Sequence, residues 1–159
     1  MGSVSLEELQ SQYEHFKVVS DRCAQTADYN AFADLFTDDC VYIEHVFGEM
    51  HGREAVRAWI VALMQSYPNN QMTKYTHDWV YFNVDAAELV FCARTHMADL
   101  GDGTDYTATN WTRLKYAGAG LFSFEEDIYN PANFISLIQR WEAAADRRQS
   151  RLDGPLRGG

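Results

Sequence analysis

The sequence predicts an α+β domain. A strongly curved, mainly antiparallel sheet wraps over a long N-terminal helix, and a second long helix closes the chain. Three observations predict this. Apolar residues recur at helical spacing near both ends of the chain, residues 74–129 hold a nearly continuous run of strand-like segments, and helices and strands are segregated in order instead of alternating. The chain has 159 residues, 47% of them apolar, enough for one sizeable core. Residues 1–148 are expected to form that single domain. Residues 149–159, with Arg, Gly and Pro and little apolar content, are expected to be a disordered tail.

Ser5 followed by Glu8 is a capping box, and Leu6, Leu9, Tyr13, Phe16, Cys23 and Ala27 then recur at steps of three and four, predicting a helix over 5–27. Phe32, Leu35 and Phe36 predict a short helix over 29–36, ended by Asp38-Asp39. Residues 40–47 are β-branched and aromatic and read as a strand. Gly52 precedes a helix over 53–66 with Val56, Trp59, Ile60, Leu63 and Met64 on its buried side. Long strands follow at 74–84, 88–99, 105–117 and 121–129, with turn signals at Asp85, Gly101-Asp102-Gly103 and Gly118-Ala119-Gly120. Asn130-Pro131 opens the last helix, whose apolar stripe is Phe134, Leu137, Ile138 and Trp141. Long strands curved over a long helix make a cone with a pocket inside.

Composition excludes several function classes. Thirteen basic against 23 acidic residues leave a net charge of −10, the wrong sign for gripping nucleic-acid phosphates or anionic lipid. No run of about 18 apolar residues exists, and the first residues lack the pattern of a signal peptide, so a cytoplasmic protein without membrane contact is expected. Cys23, Cys40 and Cys92 are an odd number without zinc-like spacing and read as reduced, buried thiols. The histidines lack ligand spacing, so neither metal nor cofactor is expected. The run Asp99–Asp105 lacks the final Glu of a calcium loop and fits a hairpin turn. Aromatic residues reach 14%, more than a small core needs. One set of rings is expected around a ligand and another between subunits of a homodimer joined through the sheet face.

Four segments carry a resemblance: Phe32-Ala33-Asp34-Leu35-Phe36-Thr37-Asp38-Asp39-Cys40-Val41-Tyr42, then Gly52-Arg53-Glu54-Ala55-Val56, then Thr76-His77 with Asn83, then Gly120-Leu121-Phe122-Ser123-Phe124-Glu125-Glu126-Asp127. In this order and spacing they resemble the SnoaL-like branch of the nuclear transport factor 2-like superfamily over residues 6–145. The resemblance implies a cone-shaped half-barrel, often dimeric. It also implies either an enzyme of the isomerase, lyase or hydrolase type, as in ketosteroid isomerases, polyketide cyclases and epoxide hydrolases, or a binding module without chemistry. Laid on the limonene-epoxide hydrolase pattern, Tyr42, Arg94 and Asp127 match. Glu44 stands where that pattern has Asn, and His96 where it has Asp. His77 and Asn110 match positions of the scytalone dehydratase pattern.

Strand parity places Tyr42 with Glu44, Arg94 with His96, and Asp127 with Ser123 and Glu125. The resulting expectation is a catalytic set in the cone. His96 is the acid/base, Asp127 orients it, Arg94 and Tyr42 shape the electrostatics, and Glu44 is a second candidate base. His77, Asn110, Trp59 and Trp79 are the expected substrate-binding residues. The bland alternatives are that Arg94 and Asp127 form only a structural ion pair, and that His77 is a structural hydrogen-bonding residue. His45, of opposite parity to Glu44, is expected outside the pocket. The expected ligand is a small, apolar, oxygenated molecule. The alternative reading is a non-catalytic ligand-binding or dimerisation module.

Overall fold

A computed structural model describes residues 4–153. Helix α1 (Leu6–Thr26) starts where Ser5 Oγ accepts the Glu8 N–H at 3.1 Å. It is followed by α2 (Asn30–Ala33), β1 (Phe36–Glu44), β2 (Gly48–His51), α3 (Arg53–Gln65) and a 3₁₀ turn (Asn69–Gln71). Then come β3 (Met72–Asn83), β4 (Glu88–Met97), β5 (Thr107–Gly118), β6 (Leu121–Ile128) and α4 (Pro131–Leu152). The six strands form one sheet in the order β2-β1-β6-β5-β4-β3. All neighbours are antiparallel except β1 and β6, which run parallel. The α+β class and the mainly antiparallel sheet are as the sequence predicts.

Three boundaries differ from expectation. The second helix is only four residues long, because Phe36 is taken into β1 and pairs with Phe122 of β6. Asp38 and Asp39 therefore lie within a strand, at the stretch where the β1–β6 register shifts between Phe36 and Val41. The short strand β2, not read from the sequence, folds back on β1 with Tyr42 opposite Met50 and Glu44 opposite Gly48. Helix α4 continues through Leu152, four residues into the expected tail. Residues 154–159 of that tail lie outside the described residues.

The core sits between α1 and the concave face of the sheet. Phe36, Phe91, Phe122, Leu9, Leu89, Leu114 and Leu137 are fully buried there. Phe16 of α1 is its hub, meeting Phe32, Phe91 and Phe122 edge-on at 5.8, 5.5 and 5.9 Å between ring centres. Register shifts in β1, β3 and β5 bend the sheet around this hub. Gly52 makes the entry to α3 possible. Its φ is +89°, its N–H reaches Cys40 O at 2.7 Å, and a Cβ there would sit 3.2 Å from Asp38 O. Helix α4 is anchored by Trp141, whose Nε1 donates to Ala98 O at 2.8 Å. Among the described residues no helix is long and apolar enough to cross a membrane. All three cysteines are free and buried.

Phe122 lies at the centre of this packing with no exposed surface. Phe122→Ala is expected to cost about 3–5 kcal/mol of unfolding free energy, measured by denaturant titration with the slope unchanged.

Candidate functional site

The concave face of the sheet, α1, α3 and the start of α4 enclose a cavity of about 330 Å³, at the lower end of the ~300–1,000 Å³ typical of small-molecule sites. Its walls are mostly apolar: Phe16, Phe32, Met64, Phe91 and Phe134. Strand pairing decides which polar groups enter it. Residues opposite one another on neighbouring strands share a face. Tyr42 lies opposite Glu125, Glu44 opposite Asp127, and Asp127 opposite Thr112. Asn110 lies opposite Ala93, which lies opposite His77. All of these residues line the cavity.

The three carboxyl groups have different surroundings. Glu44 is fully engaged: Oε2 accepts the N–H groups of Val46 and Phe47, each at 2.7 Å, and Oε1 accepts the Tyr129 hydroxyl. Asp127 accepts three side-chain donors. Tyr42 Oη reaches Oδ2 at 2.5 Å, while Thr112 Oγ1 and Asn110 Nδ2 reach Oδ1 at 2.6 and 3.0 Å. Burial raises the Asp127 carboxyl above its usual range, and the Thr112 and Tyr42 hydrogen bonds hold it back. Glu125 is only 3% exposed, and its Oε2 has no hydrogen-bond partner among the described residues. Burial, and then the charge of Asp127, push it well above the usual carboxyl range. The Tyr42 hydroxyl is likewise pushed far up, by burial and then by Asp127.

Trp59 leans over Tyr42, with ring centres 5.1 Å apart, and its buried Nε1 also lacks a partner among the described residues. On the opposite wall His77 stacks on Phe91 at 4.7 Å, and its Nδ1 lies 2.7 Å from Tyr13 Oη. Burial, then the positive charge of Lys17, lowers His77 to about 4, so its ring is neutral at pH 7. Tyr29 and Tyr75 share a 2.8 Å hydrogen bond between their hydroxyls, and burial pushes Tyr75 up to about 12.

The structure thus brings Tyr42, Glu44, Asp127, Asn110, His77 and Trp59 together at one cavity. It places His96, Arg94 and Trp79 elsewhere, correcting the expectation that His96 and Arg94 act beside Asp127 and that Trp79 contacts ligand. On β4 the residues facing the cavity side are Leu89, Phe91, Ala93 and Thr95, so Arg94 and His96 point to the convex face. Arg94 donates to Asp78 Oδ2 at 2.6 Å, and the pair is structural, with a different partner from the expected Asp127. His96 is held between Thr76 Oγ1 at 2.7 Å and Asp105 Oδ1 at 2.9 Å. Trp79 has the parity of His77, but the register shifts between them, and that extra residue turns Trp79 outward against Trp111 at 5.1 Å. His45 is outside as expected, 2.9 Å from Glu126.

Glu125 was placed on the face of Asp127 by parity but given no role, and Thr112 and Tyr129 were not among the candidate residues. Parity with Asn110 was the available signal for Thr112. Tyr129 follows the end of β6, where alternation no longer informs. Among the described residues no group of three or more His, Cys, Asp and Glu side chains is arranged to hold a metal ion.

Residues 19–127, more than half of the chain, match the model of the SnoaL-like domain family. No curated protein matches the sequence. Among solved structures, the chain is similar to a protein with a ketosteroid isomerase-like fold from Catenulispora acidiphila, in complex with trimethylamine. The TM-score is 0.61 at 18% identity, covering 78% of this chain and 92% of that one. It is similar to an NTF2-like protein from Anabaena variabilis, with a TM-score of 0.61 at 15% identity over 82% and 95% of the two chains. An LEH-like epoxide hydrolase of M. tuberculosis aligns with a TM-score of 0.59 at 10% identity over 85% and 95%. At these identities the likeness is one of fold.

A carboxyl raised by folding binds a proton in the native state at pH values where the unfolded chain has lost it. Its contribution to stability therefore falls as pH rises from the usual carboxyl value of 4.5 toward its raised value. Glu125→Gln removes this slope. The melting temperature of the variant, relative to the parent, is expected to rise steadily from pH 4.5 to 8 in calorimetric scans.

Proposed function

The chain belongs to the SnoaL-like domain family, and on that premise we propose that it is an enzyme of general acid/base type, needing no cofactor, that acts on a small apolar oxygenated molecule, with Asp127 as base and Glu125 as acid. One observation carries this reading. Two carboxyls on the same face of β6, Glu125 buried and Asp127 partly buried, open into an apolar cavity with opposite hydrogen-bonding: Asp127 accepts three donors, and Glu125 Oε2 accepts none among the described residues. Neighbouring acids whose environments separate them in this way mark the division of labour between base and acid.

In the simplest step, Asp127 takes a proton from the carbon beside a substrate carbonyl. Glu125 gives its proton to the carbonyl oxygen as the C–C double bond of the enol forms. Return of the proton from Asp127 to another carbon, and of the hydroxyl proton to Glu125, completes an isomerisation with no net proton change. The same pair serves a dehydration or an epoxide opening. The Trp59 N–H is a second donor for the substrate oxygen. Tyr42, Asn110 and Thr112 are positioning residues that hold Asp127. Glu44, with its oxygens engaged, pins the β1–β2 turn and Tyr129 instead of serving as a base. A neutral His77 forms part of the wall.

The test is turnover of a panel of β,γ-unsaturated ketones, β-hydroxy ketones and terpene epoxides, followed by mass spectrometry. At least one class is expected to turn over, with kcat falling by about 10²–10⁴ in Asp127→Asn and staying within about threefold of the parent in His96→Ala. Ligand binding without turnover in any class would favour the binding-module reading instead.

A second reading concerns assembly. Trp79, Tyr81, Trp111 and Ile128 lie together on the convex face, and Tyr81 and Trp111 are 72% and 52% exposed. We infer that a second copy of the chain covers this patch. Light scattering is expected to give a dimer mass for the parent and a monomer mass for Trp111→Glu.

A further inference from the structure

We propose that the cavity is built for a ligand bearing a protonated amine, an alkyl- or arylalkylammonium whose nitrogen lies against Glu125 and Asp127 and whose hydrocarbon fills the apolar wall. The inference deepens the preceding reading and rests on the same cavity being the functional site. Its first support is the charge of the lining. Among the described residues the cavity presents the carboxyls of Glu44, Glu125 and Asp127, no Lys or Arg, and one histidine that burial keeps neutral. A carboxylate or phosphate ligand would meet acids with no countercharge. A cation supplies the countercharge that is missing.

The second support is independent of charge. Glu44 and Asp127 have partners for their oxygens, whereas Glu125 Oε2 is buried, unpartnered and on the cavity wall. An ammonium N–H donates to that oxygen directly. The third support is the ring arrangement beside it. Trp59 lies 5.1 Å from Tyr42 and 6.0 Å from Phe47, with Tyr129 5.0 Å from Phe134 across the same end. Aromatic faces next to acidic groups are the surroundings in which a buried cation is stabilised. The cavity volume of about 330 Å³ suits a small amine.

Binding of a cation also has a proton signature. The titratable groups around Glu125 are Asp127 on its own strand, Tyr42, Glu44 and Cys40 on β1, Tyr75 on β3, and Tyr129. None of them brings a positive charge, so burial in the empty cavity favours the protonated form of Glu125. An arriving ammonium takes over that neutralising role, and the proton leaves to solvent.

The test is titration calorimetry of the full chain at pH 7 with three ligands of one shape: 2-phenylethylamine, 2-phenylethanol and 3-phenylpropanoate. The amine is expected to bind at least tenfold more tightly than the alcohol, and the carboxylate not to bind. Repeating the amine titration in phosphate and in Tris, which differ in ionisation heat, is expected to show release of a proton, and the alcohol titration none. Glu125→Gln, with its fold checked by circular dichroism, is expected to bind amine and alcohol equally. The proton measurement on the parent protein decides the matter if that variant does not fold. The proposal is overturned by absence of amine binding, by an alcohol that binds as tightly as the amine, or by amine binding without proton release. Those results leave the acid/base reading standing as long as Asp127→Asn abolishes turnover of a neutral substrate.

Discussion

The parallel pairing of β1 with β6 is the constraint on which the site depends. It sets Tyr42 beside Glu125 and Glu44 beside Asp127 on one face of the sheet. The antiparallel pairing of β6 with β5 then adds Thr112 beside Asp127. A slip of one residue in either register would send both carboxyls of β6 to the convex face, because side chains alternate. Apolar neighbours flank the acids. Phe36 lies opposite Phe122, across the register shift that ends at Val41, and fully buried Leu114 lies opposite Glu125. The polar site is thus an interruption in an apolar sheet face, and the packing of that face keeps it in place.

Three acids in one small cavity are costly to bury, and the fold treats each one differently. Glu44 is compensated locally, by two backbone N–H groups from the turn that follows it and by Tyr129. Asp127 is compensated across the sheet by side chains from β1 and β5. Glu125 is left with an open oxygen, and burial, then the charge of Asp127, shifts it toward its protonated form. Uncompensated polar groups of this kind weaken a fold and are retained where a ligand completes them. The unpartnered Trp59 N–H, on the helix facing the same cavity, belongs with Glu125 in this respect.

The aromatic excess divides between the two faces of the sheet. Phe16, Phe32, Phe91 and Phe122 pack edge to face as the core, and Tyr42 and Trp59 carry that packing on to the polar end of the cavity. Trp79, Tyr81 and Trp111 form a separate cluster on the convex face. Arg94 and His96 belong to that face as well, where Arg94 pairs with Asp78 and the His96 ring is hydrogen-bonded to Asp105, contacts that need no cavity to explain them.

The sequence by itself determined the order of the long elements, the α+β class, the family and the concave-facing parity of Tyr42, Glu44 and Asp127. Alternation and helical periodicity are local, and β1 and β6 are regular where those residues sit. Read to its end, the alternation of β4 also turns Arg94 and His96 outward, since Leu89, Phe91 and Ala93 are the apolar set of the opposite parity. Tertiary structure alone decided the rest. The bulge between His77 and Trp79 reverses parity within one strand, and nothing local marks it. The short strand β2 and the parallel β1–β6 register arise from pairing between distant segments. Which carboxyl finds three donors and which keeps an open oxygen depends on side chains from three strands, and spacing along the chain does not encode that meeting.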